Sequence, residues 1–172
     1  MMKELEAEIA QLIRYFQAKT GRLLSIGAVE SASGGRIADR ITNMSGSSDY
    51  FKGSVISYSN QTKVDLIKVK KETIDKYGAV SEQTALEMAQ GGRRLLHVDI
   101  CISDTGIAGP TGATPEKPVG LFYLALATED ESLVEKHVFS GNREENKRDA
   151  AEAALAMLKQ YLLELINKPD KL

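Results

Sequence analysis

Hydrophobic residues along the chain follow two alternating spacings, one typical of α-helices and one typical of buried β-strands. From Leu5 to Phe16 they fall at helical spacing, and Gly21 marks the end of that predicted helix. Short apolar runs bounded by turn residues predict strands. The predicted strands span residues 23–29, 53–58, 99–103, 121–128 and 132–139.

Helical spacing returns between most of these strands. Predicted helices begin after Gly35, after a cap at Ser59-Asn60 and after Ser81. A fourth runs from Asn142 to Leu165, and Glu145 completes a capping-box pattern at its start. The polar turn at 129–131 predicts a hairpin between the last two strands. This order predicts an α/β protein: a three-layer α/β/α sandwich with a mixed, mainly parallel sheet of about five strands.

Composition narrows the class of protein. The 172 residues, 42% of them hydrophobic, are enough for one substantial core, so we expect a single domain over residues 1–172. A net charge of −2 with no basic segment argues against a nucleic-acid partner. Without a secretion signal or an apolar run of membrane-spanning length, we expect a cytoplasmic protein with no membrane partner. The single cysteine and two distant histidines predict no metal site.

The first candidate site is the run Glu-Ser-Ala-Ser-Gly-Gly at 30–35, where a strand passes into a helix through small residues. Free backbone N–H groups at such a turn can hold an anion or an oxyanion. A serine there, Ser31 or Ser33, is presented as an acyl-transfer nucleophile would be. The alternative interpretation is that either serine simply caps the following helix.

The second candidate site pairs Tyr58 with Lys63 across a predicted strand-to-helix turn. A serine nucleophile needs a base, and because His97 and His137 lie in unremarkable polar surroundings, a lysine is the better candidate. Lowering a lysine pKa from ~10.4 to ~7.5 requires about 4 kcal/mol, which burial can supply. The alternatives are a solvent-exposed Lys63 and a Tyr58 that packs in the core.

The third candidate site is the glycine-rich loop at 104–112, directly after a buried strand, where open α/β sheets tend to bind ligands. It lacks the Gly-Lys-Ser/Thr of a P-loop, and the chain has no GxGxxG fingerprint after a strand. Nucleoside triphosphate chemistry is therefore disfavoured, and no cofactor is expected.

Five segments in order resemble one known family over most of the chain. They are the run at 30–35, Tyr-Ser-Asn-Gln-Thr-Lys at 58–63, Gly-Ala-Val-Ser at 78–81, Gly-Ile-Ala-Gly-Pro at 106–110 and Lys-Pro-Val-Gly at 117–120. Together they resemble the C-terminal domain family of the competence/damage-inducible protein CinA. The resemblance implies a nicotinamide-nucleotide amidase, which converts nicotinamide mononucleotide and water to nicotinic acid mononucleotide and ammonia, and a homodimer or higher homo-oligomer.

Carried over by position, the resemblance makes Ser31 the nucleophile and Lys63 the base, with the Tyr58 hydroxyl as an orienting group. The family's usual first motif is Glu-Ser-Cys-Thr-Gly-Gly, so Ala32 and Ser33 are departures, and Ser33 is a rival hydroxyl. The residues expected to bind substrate fall into two groups. Ser33, Gly34 and Gly35 would stabilise an oxyanion through backbone N–H groups, and Thr105, Gly106 and Arg143 would contact the phosphate. The alternative for Arg143 is an ordinary surface position.

Two other functions stay open at this stage. One is a catalytically inactive nucleotide-binding or regulatory module of the same fold, and the other is an amidase for a different carboxamide. Many family members carry a further N-terminal domain associated with nucleotide pyrophosphatase activity. This chain starts too late to include it, so we expect the amidase function alone.

Overall fold

The five predicted strands form one mixed sheet. A computed structural model describes residues 4–168, and the strand order is β2-β1-β3-β4-β5. The strands are β1 (Ile26–Glu30), β2 (Phe51–Ile56), β3 (Ile100–Gly106), β4 (Leu121–Ala127) and β5 (Ser132–Val138). β1 pairs in parallel with β2 and β3, whereas β3 with β4 and β4 with β5 pair antiparallel. The sheet is therefore mixed as predicted, with four strands pointing one way and β4 pointing the other.

Six helices accompany the sheet in the described residues. They are α1 (Glu4–Thr20), α2 (Arg36–Thr42), α3 (Asn60–Asp65), α4 (Lys71–Tyr77), α5 (Glu82–Leu96) and α6 (Arg143–Asn167). Helix α4 was not predicted, because its seven residues bury only Thr73 and Ile74 and so produce almost no apolar periodicity. Helix α3 is shorter than its apolar pattern implied and ends at Asp65.

Alternating strand residues divide the core between the two faces of the sheet. Ile100 and Ile102 of β3 join a cluster built with α1, α2 and α6. Cys101 between them points to the opposite face and joins a cluster that includes Met88 of α5. Because successive side chains of a strand alternate in direction, one apolar strand supplies both cores. This arrangement is the predicted three-layer sandwich.

Local capping signals in the sequence are confirmed at several element ends. The Asn142 side chain accepts a hydrogen bond from the Glu145 N–H, and the Glu145 carboxylate accepts one from the Asn142 N–H. This capping box fixes where α6 begins. The predicted hairpin closes through Thr128, whose N–H and hydroxyl both donate to the Glu131 carbonyl.

The parallel part of the sheet determines where a site can form. Since β1, β2 and β3 run in the same direction, the segments that follow Glu30, Ile56 and Gly106 emerge at one edge of the sheet. All three candidate segments lie at this edge, which is the usual ligand-binding edge of an open α/β sheet. β3 extends three residues beyond its predicted end, so residues 104–106 of the predicted loop belong to the strand. Within residues 4–168, no helix combines the length and apolar character needed to cross a membrane.

Candidate active site

Ser31 and Lys63 meet at this edge of the sheet. The Lys63 Nζ lies 2.9 Å from the Ser31 Oγ, although the two residues are 32 positions apart in the chain. Ser31 directly follows β1, and Lys63 lies in the last turn of the short helix α3. Both side chains are buried. A nucleophilic hydroxyl and a base need this contact distance.

The surroundings of Lys63 make its amine easier to deprotonate. Burial lowers the pKa of Lys63 to about 8, and the negative charge of Asp104 opposes part of that effect. Besides Ser31, the ammonium contacts the backbone carbonyl oxygens of Ser57 at 2.7 Å and Tyr58 at 3.1 Å. The neutral form is therefore populated at mildly alkaline pH, which an ordinary lysine does not achieve.

An open cavity of about 230 Å³ lies above this pair. Its wall is formed by Ser31, Ala32, Tyr58, Asn60, Lys63, Ala79, Val80, Thr105, Gly106, Ile107, Ala108, Gly109, Thr111, Gly112 and Arg143. Thr105 is buried, and its hydroxyl donates to the Ala79 carbonyl at 2.7 Å. At Gly106, a Cβ atom would lie 2.4 Å from the Phe122 ring. The glycine therefore allows β3 and β4 to pack closely where they border the cavity.

The backbone carbonyl and the side chain of Tyr58 have different surroundings. Its carbonyl contacts Lys63, while the residue as a whole is 61% exposed and lines the cavity. The phenolic oxygen accepts a hydrogen bond from Arg143 at 3.1 Å, and Arg143 also donates to the Gly109 carbonyl at 2.8 Å. Tyr58 is thus neither a core residue nor one whose hydroxyl contacts the serine–lysine pair. Arg143, similarly, is more than a surface residue, since it joins two parts of the cavity rim.

The backbone donors expected to form the oxyanion site are already occupied. The Ser33 N–H donates to Asp104 at 2.9 Å, and the Gly35 N–H donates to Glu30 at 2.9 Å. The Gly34 N–H donates to the Ser31 carbonyl at 3.2 Å. The prediction that these three groups bind substrate is therefore corrected: they hold the turn in shape. The Ser33 side chain is fully buried, so it is not positioned as a rival nucleophile.

Three residues that organise the site carried no assigned role in the sequence analysis. Glu30 and Asp104 are fully buried carboxyl groups that accept hydrogen bonds from the turn at 31–38. Asn146 of α6 is also fully buried, and its amide donates to the Ala108 carbonyl at 3.0 Å. The available signal for both carboxylates was a charged residue near the end of a buried strand: Glu30 is the last residue of β1, and Asp104 lies two residues before the end of β3. Asn146 gave no local signal beyond its place after a helix cap.

Electrostatics at Asp104 differ from those of a surface aspartate. Burial raises the pKa of Asp104 to about 6, and the neighbouring charge of Glu30 adds to that increase. Hydrogen bonds from Ser33 and Ser31 act in the opposite direction. Within residues 4–168, no group of three or more His, Cys, Asp or Glu side chains is arranged to hold a metal ion.

Comparison with known proteins identifies the family of this site. Residues 5–162 match the family model described as the CinA C-terminal domain. The chain belongs to this family. The CinA-like protein of Kosmotoga olearia is 46% identical over 164 residues, which cover 95% of this chain and 38% of that protein. The CinA-like protein of Syntrophomonas wolfei is 48% identical over 145 residues, which cover 84% of this chain and 34% of that protein.

Solved structures of CinA proteins share the fold. The CinA superfamily protein of Klebsiella pneumoniae 700603 matches with a TM-score of 0.88 and 25% identity, covering 95% of this chain and 99% of that one. The competence/damage-inducible protein of Agrobacterium tumefaciens matches with a TM-score of 0.84 and 34% identity, covering 92% and 95%. The resemblance drawn from the five sequence segments is confirmed. The chain nevertheless spans less than two fifths of the length of the curated CinA-like relatives above.

Proposed function

We propose that this CinA-family chain is a cytoplasmic serine–lysine amidohydrolase that removes ammonia from the carboxamide of nicotinamide mononucleotide. The observation that supports the chemistry is the 2.9 Å contact between Ser31 Oγ and a buried Lys63 Nζ at an open cavity. A pure binding module has no need of a buried lysine, whose desolvation destabilises the fold.

The contacts of Lys63 suit a neutral amine that acts as a base. A neutral amine has two N–H donors and one lone pair, whereas an ammonium has three donors. If the carbonyl oxygens of Ser57 and Tyr58 accept the two N–H groups, the lone pair is left for the third contact, the Ser31 hydroxyl. The backbone thereby orients the amine for proton abstraction from Ser31.

The reaction then has two balanced halves. Ser31 Oγ attacks the carboxamide carbon and its proton passes to Lys63; the C–N bond breaks as Lys63 returns that proton to the leaving nitrogen, and ammonia departs. Water next attacks the acyl-enzyme with Lys63 again taking the proton. Release of the acid product restores the Ser31 hydroxyl. Neither half requires a cofactor or a metal ion.

The Ala32 N–H is our candidate donor to the developing oxyanion. Ala32 lines the cavity and directly follows the nucleophile. Within residues 4–168, its N–H has no hydrogen-bond acceptor, in contrast to the N–H groups of the next three residues. The amide after a nucleophilic serine has this role in other hydrolases, and one such donor contributes about 10²–10³ in rate.

Recognition of the nucleotide is proposed to involve the cavity mouth. Tyr58 is the one aromatic residue among the described cavity-lining residues, and its exposed ring can stack on a pyridine ring. A guanidinium has five N–H donors, of which the described residues accept two from Arg143. The remaining donors can contact the phosphate in a bidentate manner. Thr105 and Gly106 would contribute wall contacts deeper in the cavity.

The deciding experiment measures ammonia release from nicotinamide mononucleotide, with nicotinamide and glutamine as comparison substrates. Release from the mononucleotide alone would support both the reaction and the substrate. Lys63→Gln should lower kcat by roughly 10²–10⁴-fold because it removes the base, and Ser31→Ala should abolish the acyl-enzyme detectable by mass spectrometry. Lys52→Gln and Ser48→Ala, both at exposed positions away from the cavity, are the matched controls.

Other outcomes identify the competing functions. Release from another carboxamide would retain the mechanism and replace the substrate. Absence of release from any carboxamide, in protein that still binds the mononucleotide, would favour an inactive binding module. Near-normal turnover in Lys63→Gln would refute the serine–lysine pair. The homo-oligomer implied by the family is a separate proposal, tested by analytical ultracentrifugation of the purified chain.

A further inference from the structure

One buried hydroxyl lies between two buried carboxyl groups behind Ser31. The Ser33 Oγ is 2.8 Å from Glu30 Oε2 and is also in hydrogen-bond contact with Asp104 Oδ1. All three residues are fully buried. A hydroxyl has one proton and can donate to only one of these oxygens. The second oxygen–oxygen contact therefore requires another proton, carried by one of the carboxyl groups.

Hydrogen bonding indicates which carboxyl group carries that proton. Glu30 accepts four other hydrogen bonds, from the N–H groups of Gly35, Ile37 and Ala38 and from the Ser54 hydroxyl. A proton on Glu30 would weaken at least one of them. Asp104 accepts two others, from the N–H groups of Ser31 and Ser33. The burial that raises the pKa of Asp104 to about 6 agrees with a proton on Asp104.

Asp104 is also linked to both reacting groups. Its Oδ1 accepts the Ser31 N–H at 3.1 Å, so it holds the backbone of the proposed nucleophile. Its charge raises the pKa of Lys63, which burial otherwise lowers. Among residues 4–168, Asp104 is linked to two titratable groups: Glu30 at the end of β1 through the Ser33 hydroxyl, and Lys63 of α3 through Ser31, whose Oγ lies 2.9 Å from the Lys63 Nζ. Its register partner on β4 is the apolar Leu124.

We propose that Asp104 is a positioning residue that shares a proton with Glu30 through Ser33, holds the Ser31 turn and, when ionised, favours the ammonium form of Lys63. At acidic pH the protonated Asp104 completes the hydrogen-bonded chain. When Asp104 loses that proton to solvent, its negative charge favours the ammonium form of Lys63. The consequence for turnover rests on the proposed function, whereas the electrostatic coupling does not.

The first test follows Lys63 directly and needs no enzymatic activity. Lysine labelled with ¹³C at Cε is titrated by NMR in the wild type, and Lys63→Met identifies the Lys63 signal. Asp104→Asn imitates the protonated acid, since its amide can donate to Ser33, and should lower the Lys63 titration midpoint by roughly one pH unit. Ser103→Ala is the matched control: this neighbour on β3 is buried and donates to the Ala85 carbonyl at 2.7 Å. Its Lys63 midpoint should equal that of the wild type.

A second measurement uses the unaltered protein, so it decides even if Asp104→Asn does not fold. In protein whose aspartates carry ¹³C at Cγ, one aspartate signal should titrate with a midpoint near pH 6. If every aspartate titrates below about pH 5, the proton-sharing part is overturned. An unchanged Lys63 midpoint in folded Asp104→Asn would overturn the coupling. If the chain releases ammonia from the mononucleotide, the acid limb of the kcat/KM pH profile should shift in Asp104→Asn by the same amount as the Lys63 titration midpoint. Absence of ammonia release by the wild type would refute the proposed function, and the NMR titrations would still decide whether Asp104 shares a proton with Glu30 and is coupled to Lys63.

Discussion

Raising the pH from 7 to 9 should increase kcat/KM for ammonia release from nicotinamide mononucleotide about tenfold. Only the neutral amine of Lys63 can accept the Ser31 proton, and burial lowers the pKa of Lys63 to about 8. The neutral fraction is then about 9% at pH 7 and about 90% at pH 9. Between pH 9 and pH 10 the rate should rise by only about 9%.

A lysine with the ordinary pKa of 10.5 predicts a different profile. Its neutral fraction would rise about 100-fold from pH 7 to pH 9 and would keep rising to pH 10. The two cases are therefore distinguished by whether the profile levels off and by the size of the increase.

The assay measures the acid product by chromatography in buffers of constant ionic strength. Measurements start at pH 7 because the substrate phosphate loses its second proton near pH 6. Circular dichroism at each pH confirms that the fold is retained. A profile that still climbs steeply above pH 9, or one that is flat from pH 7 to pH 9, would refute the assignment of Lys63 as a desolvated base.

The remaining predictions concern stability, measured by urea denaturation. Burial raises the pKa of Asp104 from 3.8 to about 6. Between these two pH values the folded state binds more protons than the unfolded state, so the free energy of unfolding of the wild type falls as the pH rises. Asn cannot lose a proton, so the free energy of unfolding of Asp104→Asn minus that of the wild type should increase by up to about 3 kcal/mol from pH 4 to pH 7. A difference that does not change with pH would contradict this prediction. Ser57→Ala should be neutral or stabilising by about 1 kcal/mol, since the buried Ser57 hydroxyl has no partner among residues 4–168; a clear loss would mean that the hydroxyl is satisfied. Gly120→Ala should be far more destabilising than Gly21→Ala, because both have positive φ but only at Gly120 would a Cβ meet backbone, 1.8 Å from the Phe139 oxygen; equal losses would show that φ alone matters.

Much of the fold could be predicted because its signals are local. The Asn142 capping box, the hairpin at 129–131 and the apolar run of β3 each depend on residues within a few positions of one another. The order of strands and helices then limits the architecture to a few layered arrangements. Helix α4 was not predicted because it lacks such a local signal: only two of its residues are buried.

The candidate site was partly predictable. Segments at the carboxyl ends of parallel strands share an edge, so Ser31, Lys63 and the loop after β3 could be expected to converge. The roles of individual atoms could not be predicted in this way. Ser33 and Gly35 had been expected to bind substrate through their N–H groups, yet those groups are bonded to Asp104 and Glu30.

The sequence by itself determined the five strands, five of the six helices in the described residues, their order, the family and the position of a serine and a lysine near one edge of the sheet. Only the tertiary structure decided the electrostatics and the free donors. Asp104 contacts Ser31 across 73 positions, and Lys63 contacts Ser31 across 32. Residue periodicity reports on neighbours within about four positions, whereas desolvation and hydrogen-bond saturation depend on every group that folding brings together.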